Sequence, residues 1–137
     1  EMGGYQDPYS EFGRLVLELR RAIRLVVDTG LHYKRWTRQQ TIDYILANQP
    51  SNPREADRDT GRYIVNPGQA TAYMIGQREI LRLRSEAQAS MGDRFSISGF
   101  HDAVLLAGET PLPVLEGIVR DWIPQQRRLA ERERRRR

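Results

Sequence analysis

The 137-residue sequence contains no cysteine, which excludes a disulfide framework and a thiolate metal site. It contains two histidines, His32 and His101, far apart in the chain. Catalytic zinc usually takes three protein ligands. With no H-E-x-x-H and no histidine pair at helical spacing, no metal-ligating residue is expected in this chain. There is no G-x-S-x-G and no phosphate loop. No run of about 18 apolar residues occurs, so no membrane span is expected, and no signal-peptide pattern is visible. No segment alternates like a strand, and no internal repeat is present.

Charge is unevenly placed. The net charge is +4, but residues 127–137, "RRLAERERRRR", hold seven Arg and two Glu. The rest of the chain carries 15 basic and 16 acidic groups. The body therefore lacks the basic footprint of a nucleic-acid binder. The arginine run holds no interleaved aromatic, which argues against single-strand binding. It reads as a solvated helix end, where cations suit the helix dipole, with a nucleic-acid or anionic-surface tail as the alternative. The expected organisation is a helical segment over 1–126 and an Arg-rich tail over 127–137. The opening Glu1-Met2-Gly3-Gly4 reads as a cut from a longer protein.

What the sequence has is helix after helix. The first is expected from about Asp7 to Asp28, with Asp7 as cap and Pro8 in the first turn. Phe12, Leu15, Val16, Leu19, Ile23, Val26 and Val27 recur at spacings of three and four, an apolar stripe. Gly30 is expected to end it as a left-handed cap. A second helix starts at Thr37, with Gln40 completing a capping box. A third, polar helix starts at Asn52-Pro53 and ends near Tyr63; its Asp57 and Asp59 read as solvent-exposed. A fourth is expected from about Pro67 to Met91, capped by Asn66 and boxed by Gln69. Its face comprises Ala70, Tyr73, Met74, Gln77, Ile80, Leu81 and Arg84. A fifth spans about Ser98 to Ala107. A sixth starts at Thr110-Pro111 and should kink or stop at Pro124. The expected fold is all-α, an antiparallel array of about five to six helices.

Two stretches rise above this background. In "RLVVDTGLH", residues 24–32, an apolar helix ends in Asp-Thr-Gly and a histidine follows. Two readings stand: a helix C-terminus with His32 near its last carbonyls, or Arg24 and His32 at the wall of a cleft. In "RYIVNPGQATAYMIGQ", residues 62–77, Tyr63 and Tyr73 flank a helix start whose free N–H groups would seat a carboxylate. These two phenols are either half-buried packing residues or parts of a site.

The combination of "RLVVDTGLH" with "PGQATAY", together with "YQDPYSEFGRLVLELRRAIRLVVDTGLH" and "WTRQQTIDY", resembles a bacterial family catalogued as domain of unknown function 885. The resemblance covers about residues 1–125. Full-length members are similar to helical zinc metallopeptidases of the gluzincin type. It implies a fragment of a larger helical metallopeptidase-like fold. The zinc motif would lie upstream, so zinc is implied for the parent and no cofactor for this segment. Tyr63 and Tyr73 would stabilise the transition-state oxyanion opposite the zinc. Arg24, His32 and Gln69 would bind substrate. This sequence departs from the family at Asn66, where an aromatic residue is usual, and near Arg20.

The parent would act on amide bonds of peptides or peptide-like compounds, and the segment's partner would be the remainder of the parent chain. An exported or cell-envelope parent fits the family. Self-association of the segment is expected, because its first stripe needs partners on more than one side. The competing reading is a stand-alone helical binding or assembly module with a basic tail.

Overall fold

The structure is a computed structural model and describes residues 4–136. It is all-α, with no strand among the described residues. Six helices follow in order: α1 (Pro8–His32), α2 (Arg38–Asn48), α3 (Pro53–Val65), α4 (Ala72–Met91), α5 (Ile97–Leu105) and α6 (Leu112–Arg136). Short 3-10 turns, Gln69–Thr71 and Gly92–Arg94, precede α4 and α5. The chain divides into two compact units, the first ending at Ile75 and the second starting at Gly76.

In the first unit, local chemistry starts each helix. The Asp7 carboxylate accepts from the N–H groups of Tyr9 at 3.0 Å and Ser10 at 2.9 Å, and Pro8 supplies a pre-set φ where no N–H is needed. At α2, the Thr37 hydroxyl accepts from Gln40 N and the Gln40 side chain accepts from Thr37 N, the reciprocal box expected. At α3, Asn52 Oδ1 accepts from Glu55 N at 2.9 Å.

Two helix ends differ from expectation. Gly30 does not end α1; it is buried within a helix that runs on to His32. A Cβ at residue 30 would run into the Trp36 indole, so the missing side chain serves packing. The Trp36 N–H also donates to the Gly30 carbonyl at 2.9 Å, and the positive φ falls on Arg35, at 57°.

Nor does α4 start at Pro67. Asn66 closes α3, Gly68 takes φ 80°, and α4 begins only at Ala72. A left-handed residue cannot sit inside a right-handed helix, so the break at Gly68 separates the two. Gln69 completes no box; its Oε1 accepts from Arg62 Nη1 at 2.9 Å.

The first core packs Ile23 and Val27 of α1, Ile42 and Ile45 of α2, Ala56 and Tyr63 of α3, and Ala70. Each fully buried aliphatic side chain contributes about 1.5–3 kcal/mol. The α1 stripe is buried only from Ile23 onward; Phe12, Leu15, Leu19 and Val26 are exposed.

The second unit has its own core: Leu83, Ala87 and Met91 of α4, Phe100 of α5, and Leu115, Val119 and Ile123 of α6. The buried face of α4 is thus Leu83, Ala87 and Met91, while the expected face residues Tyr73 and Leu81 are exposed. Ionic contacts add to it, with Arg82 between Glu79, Glu86 and Glu116, and Arg120 between Glu86 and Glu116. Pro124 does not stop α6, which continues to Arg136. The turn before the proline is held on the core by Val119 and Ile123, which offsets the lost backbone bond. Apart from Arg128, side-chain expectations for the arginine run lie outside the described residues.

Candidate functional site

The C-terminal half of α1 carries four polar residues at intervals of four, Arg20, Arg24, Asp28 and His32. Residues so spaced share one helix face. All four reach α3 or the turn behind it. Arg20 Nη2 donates to Asp59 Oδ2. Arg24 Nε donates to the Tyr63 hydroxyl at 3.1 Å. Both Asp28 oxygens accept from Gly68 N, each at 3.1 Å. His32 Nε2 lies 3.0 Å from the Tyr63 carbonyl, which accepts from it.

Asp59 is therefore not solvent-exposed as expected: it is 8% exposed and neutralised by Arg20. Its hydrogen bond holds the Arg20 guanidinium pKa above the ordinary value, against the opposing effect of desolvation. The carboxylate seat expected near the start of α4 is filled from within the chain, because Asp28 takes the Gly68 N–H.

The two tyrosines meet through arginines. Tyr63 is 3% exposed, while Tyr73 is 45% exposed. The Arg24 guanidinium carbon lies 5.6 Å from the Tyr73 ring centroid, and that of Arg21 lies 5.7 Å from the same ring. Arg62 stands 4.8 Å from the Tyr63 ring. Such placements are attractive, because the ring face carries negative charge. Arg24 thus holds one phenol by its hydroxyl and the other by its ring. Since the Tyr63 oxygen accepts from Arg24, its own proton remains free to donate elsewhere.

Of the residues singled out from the sequence, Arg24, Tyr63 and Tyr73 come together directly. His32 joins them through the Tyr63 backbone, and Gln69 through Arg62. Sequence reasoning missed Arg20, Arg21, Asp28, Asp59 and Arg62. The four-residue spacing along α1, repeated by Asp59 and Tyr63 on α3, was the available signal. Among the described residues, no group of three or more His, Cys, Asp or Glu is placed to hold a metal.

The chain belongs to DUF885, a family of bacterial proteins of unknown function, whose model matches residues 1–119. It is also similar to a crystal structure from Colwellia psychrerythraea of a protein provisionally described as a lipoprotein, at 45% identity and a TM-score of 0.86. The match covers 90% of this chain and 21% of that one, so the chain spans about a fifth of its solved relative. No curated protein matches it. No helix of the described residues is long and apolar enough to cross a membrane.

Proposed function

We propose that this chain is the C-terminal helical part of a zinc-dependent, metallopeptidase-like hydrolase acting on peptide or peptide-like amide bonds, and that it is not catalytically complete alone. The resemblance to gluzincins supplies the reaction class, and the small share of the solved relative that this chain spans leaves room for the missing machinery. Zinc and the general base would belong to the rest of the parent. The observation that carries the reading is Arg24 bridging Tyr63 and Tyr73. It fixes one buried and one open phenol around a cationic group on a rigid helical support.

In this reading Tyr73, the open phenol, donates to the oxygen that gains charge as an amide carbonyl is attacked. Tyr63 and Arg24 hold the electrostatic environment, and His32 and Gln69 fix the turn that presents Tyr73. The lipoprotein description of the Colwellia protein is compatible with an exported or envelope-located parent.

The test is Tyr73→Phe in the intact protein. An oxyanion donor contributes about a hundredfold to a thousandfold in turnover. The variant should lose that much kcat with a much smaller change in KM, since the contact forms mainly in the transition state. Its Tm should hold. Unchanged turnover per folded molecule removes Tyr73 from the site.

A further inference from the structure

We infer that Arg21, Arg24 and Arg62, arrayed on the rings of Tyr63 and Tyr73, form a carboxylate-binding site that takes the free terminal carboxylate of a peptide-like substrate. The choice of peptide rests on the function proposed above; the anion site rests on the charges themselves.

Four arginines converge on this face, and only Arg20 has an acid of its own, Asp59. Among the described residues, no carboxylate bridges Arg21, Arg24 or Arg62. Their partners are neutral: the Tyr63 hydroxyl for Arg24, the Gln69 carbonyl oxygen for Arg62, and the two tyrosine rings. The nearby carboxylates are committed, Asp59 to Arg20 and Asp28 to the Gly68 N–H. Arg62 Nη2 is buried and makes no hydrogen bond within the chain.

Several other arginines of the chain do have acids of their own. Arg14 sits between Glu11 and Glu18, Arg38 meets Asp57, and Arg82 meets three glutamates. Arg21 and Arg24 stand on one ring without a carboxylate partner, and like charges repel more strongly where water is partly excluded. An incoming anion relieves that repulsion.

The geometry favours a carboxylate. Arg24 spends Nε on Tyr63, which leaves both terminal nitrogens of its planar fork for a two-oxygen ligand. Arg21 and Arg24 both pack on the half-exposed Tyr73 ring, so their positions are fixed before the ligand arrives. In a hydrolase of peptide amides, the carboxylate that reaches this point is the substrate's C-terminus. The site then selects substrates cut near a free C-terminal end.

The experiment uses the intact protein and two pooled tetrapeptide libraries, one with free C-terminal carboxylates and one amidated. Binding is read by equilibrium dialysis with mass spectrometry, and cleavage is read separately. The wild type should retain the free-acid pool over the amidated pool. Arg21→Gln should cut that preference about tenfold to a hundredfold, the scale of one charge-assisted contact. Arg21→Lys, which keeps the charge and loses the fork, should fall between. Circular dichroism confirms that both variants fold.

Equal retention of the two pools, or an Arg21→Gln protein with its preference intact, overturns the inference. Binding of inorganic phosphate at the site without any preference for the free-acid pool overturns the carboxylate assignment. Acid preference without any amide cleavage supports this site and counts against the proposed hydrolase. Cleavage without acid preference does the reverse.

Discussion

The carboxylate of Asp28 accepts the N–H of Gly68 with both oxygens, each at 3.1 Å, across 40 residues of sequence. Asp28 is 4% exposed, while Gly68 lies at the surface. The contact ties the last turns of α1 to the residue that separates α3 from α4. Asp28→Ala should therefore cost about 1.5–3 kcal/mol, the net contribution of a hydrogen bond to a charged group. Asp28→Asn keeps one acceptor and should cost less. Thermal melts of the two variants check this, and an alanine variant with unchanged Tm would sink it.

Gly30→Ala probes the packing of Trp36. The added methyl meets the indole, which must move away from the first core. Overpacking of this kind costs about 1–3 kcal/mol. Helix propensity alone predicts the opposite sign, since alanine favours a helix interior over glycine by about 1 kcal/mol. A stabilised Gly30→Ala protein would show that the ring has room to shift.

Acid should weaken the fold in a definite window. Hydrogen bonds from Arg14 to Glu11, Arg38 to Asp57 and Arg82 to Glu79 hold those carboxyls below their ordinary range. A depressed folded pKa stabilises the fold at pH values above the unfolded pKa. That stabilisation disappears as pH falls through the folded value. Tm should thus hold from neutrality to about pH 5 and decline below about pH 4, near the unfolded carboxylate values. These groups are exposed, so each contribution is small and screened by salt. The decline should flatten in about 1 M sodium chloride, where the Debye length is about 3 Å. A Tm rising on acidification contradicts the assignment.

The first half of α1 leaves Tyr9, Phe12, Leu15 and Leu19 exposed on one side. A contiguous apolar face of this kind recruits partners. The isolated chain should self-associate or bind a hydrophobic dye. Replacing Phe12 and Leu15 by Gln should reduce both effects while sparing the core, which begins at Ile23. Sedimentation and dye fluorescence decide it; a monomeric, dye-silent chain would count against an apolar contact surface.

The helix starts at Asp7, Thr37 and Asn52 were legible because capping is local: the cap and its N–H partner lie within three residues. The end of α1 was not legible, because Gly30 reads the same whether it supplies a left-handed cap or a space for Trp36. The start of α4 was misplaced for a similar reason. Asn66-Pro67-Gly68 has capping chemistry, yet the turn is set by Asp28, far away in sequence. The two tyrosines could be picked out by their positions around the break, but the arginines joining them belong to another helix. Asp59 read as solvated because its own helix is polar, and only the fold places Arg20 against it.

The four polar contacts of α1 also act as a vernier between two helices. Read in order, residues 20, 24, 28 and 32 present donor, donor, acceptor and donor. Sliding α1 by one turn in one direction puts the Arg24 guanidinium against the Gly68 N–H, donor facing donor. Sliding it the other way hands Asp59 to Arg24 and leaves Arg20 without an acid. An apolar seam of Ile23 and Val27 would tolerate such an offset far better, since aliphatic surfaces carry no direction. The order of donors and acceptors thus encodes position, and alignment of the Tyr63 and Tyr73 platform is specified by polarity where greasy packing would leave it ambiguous.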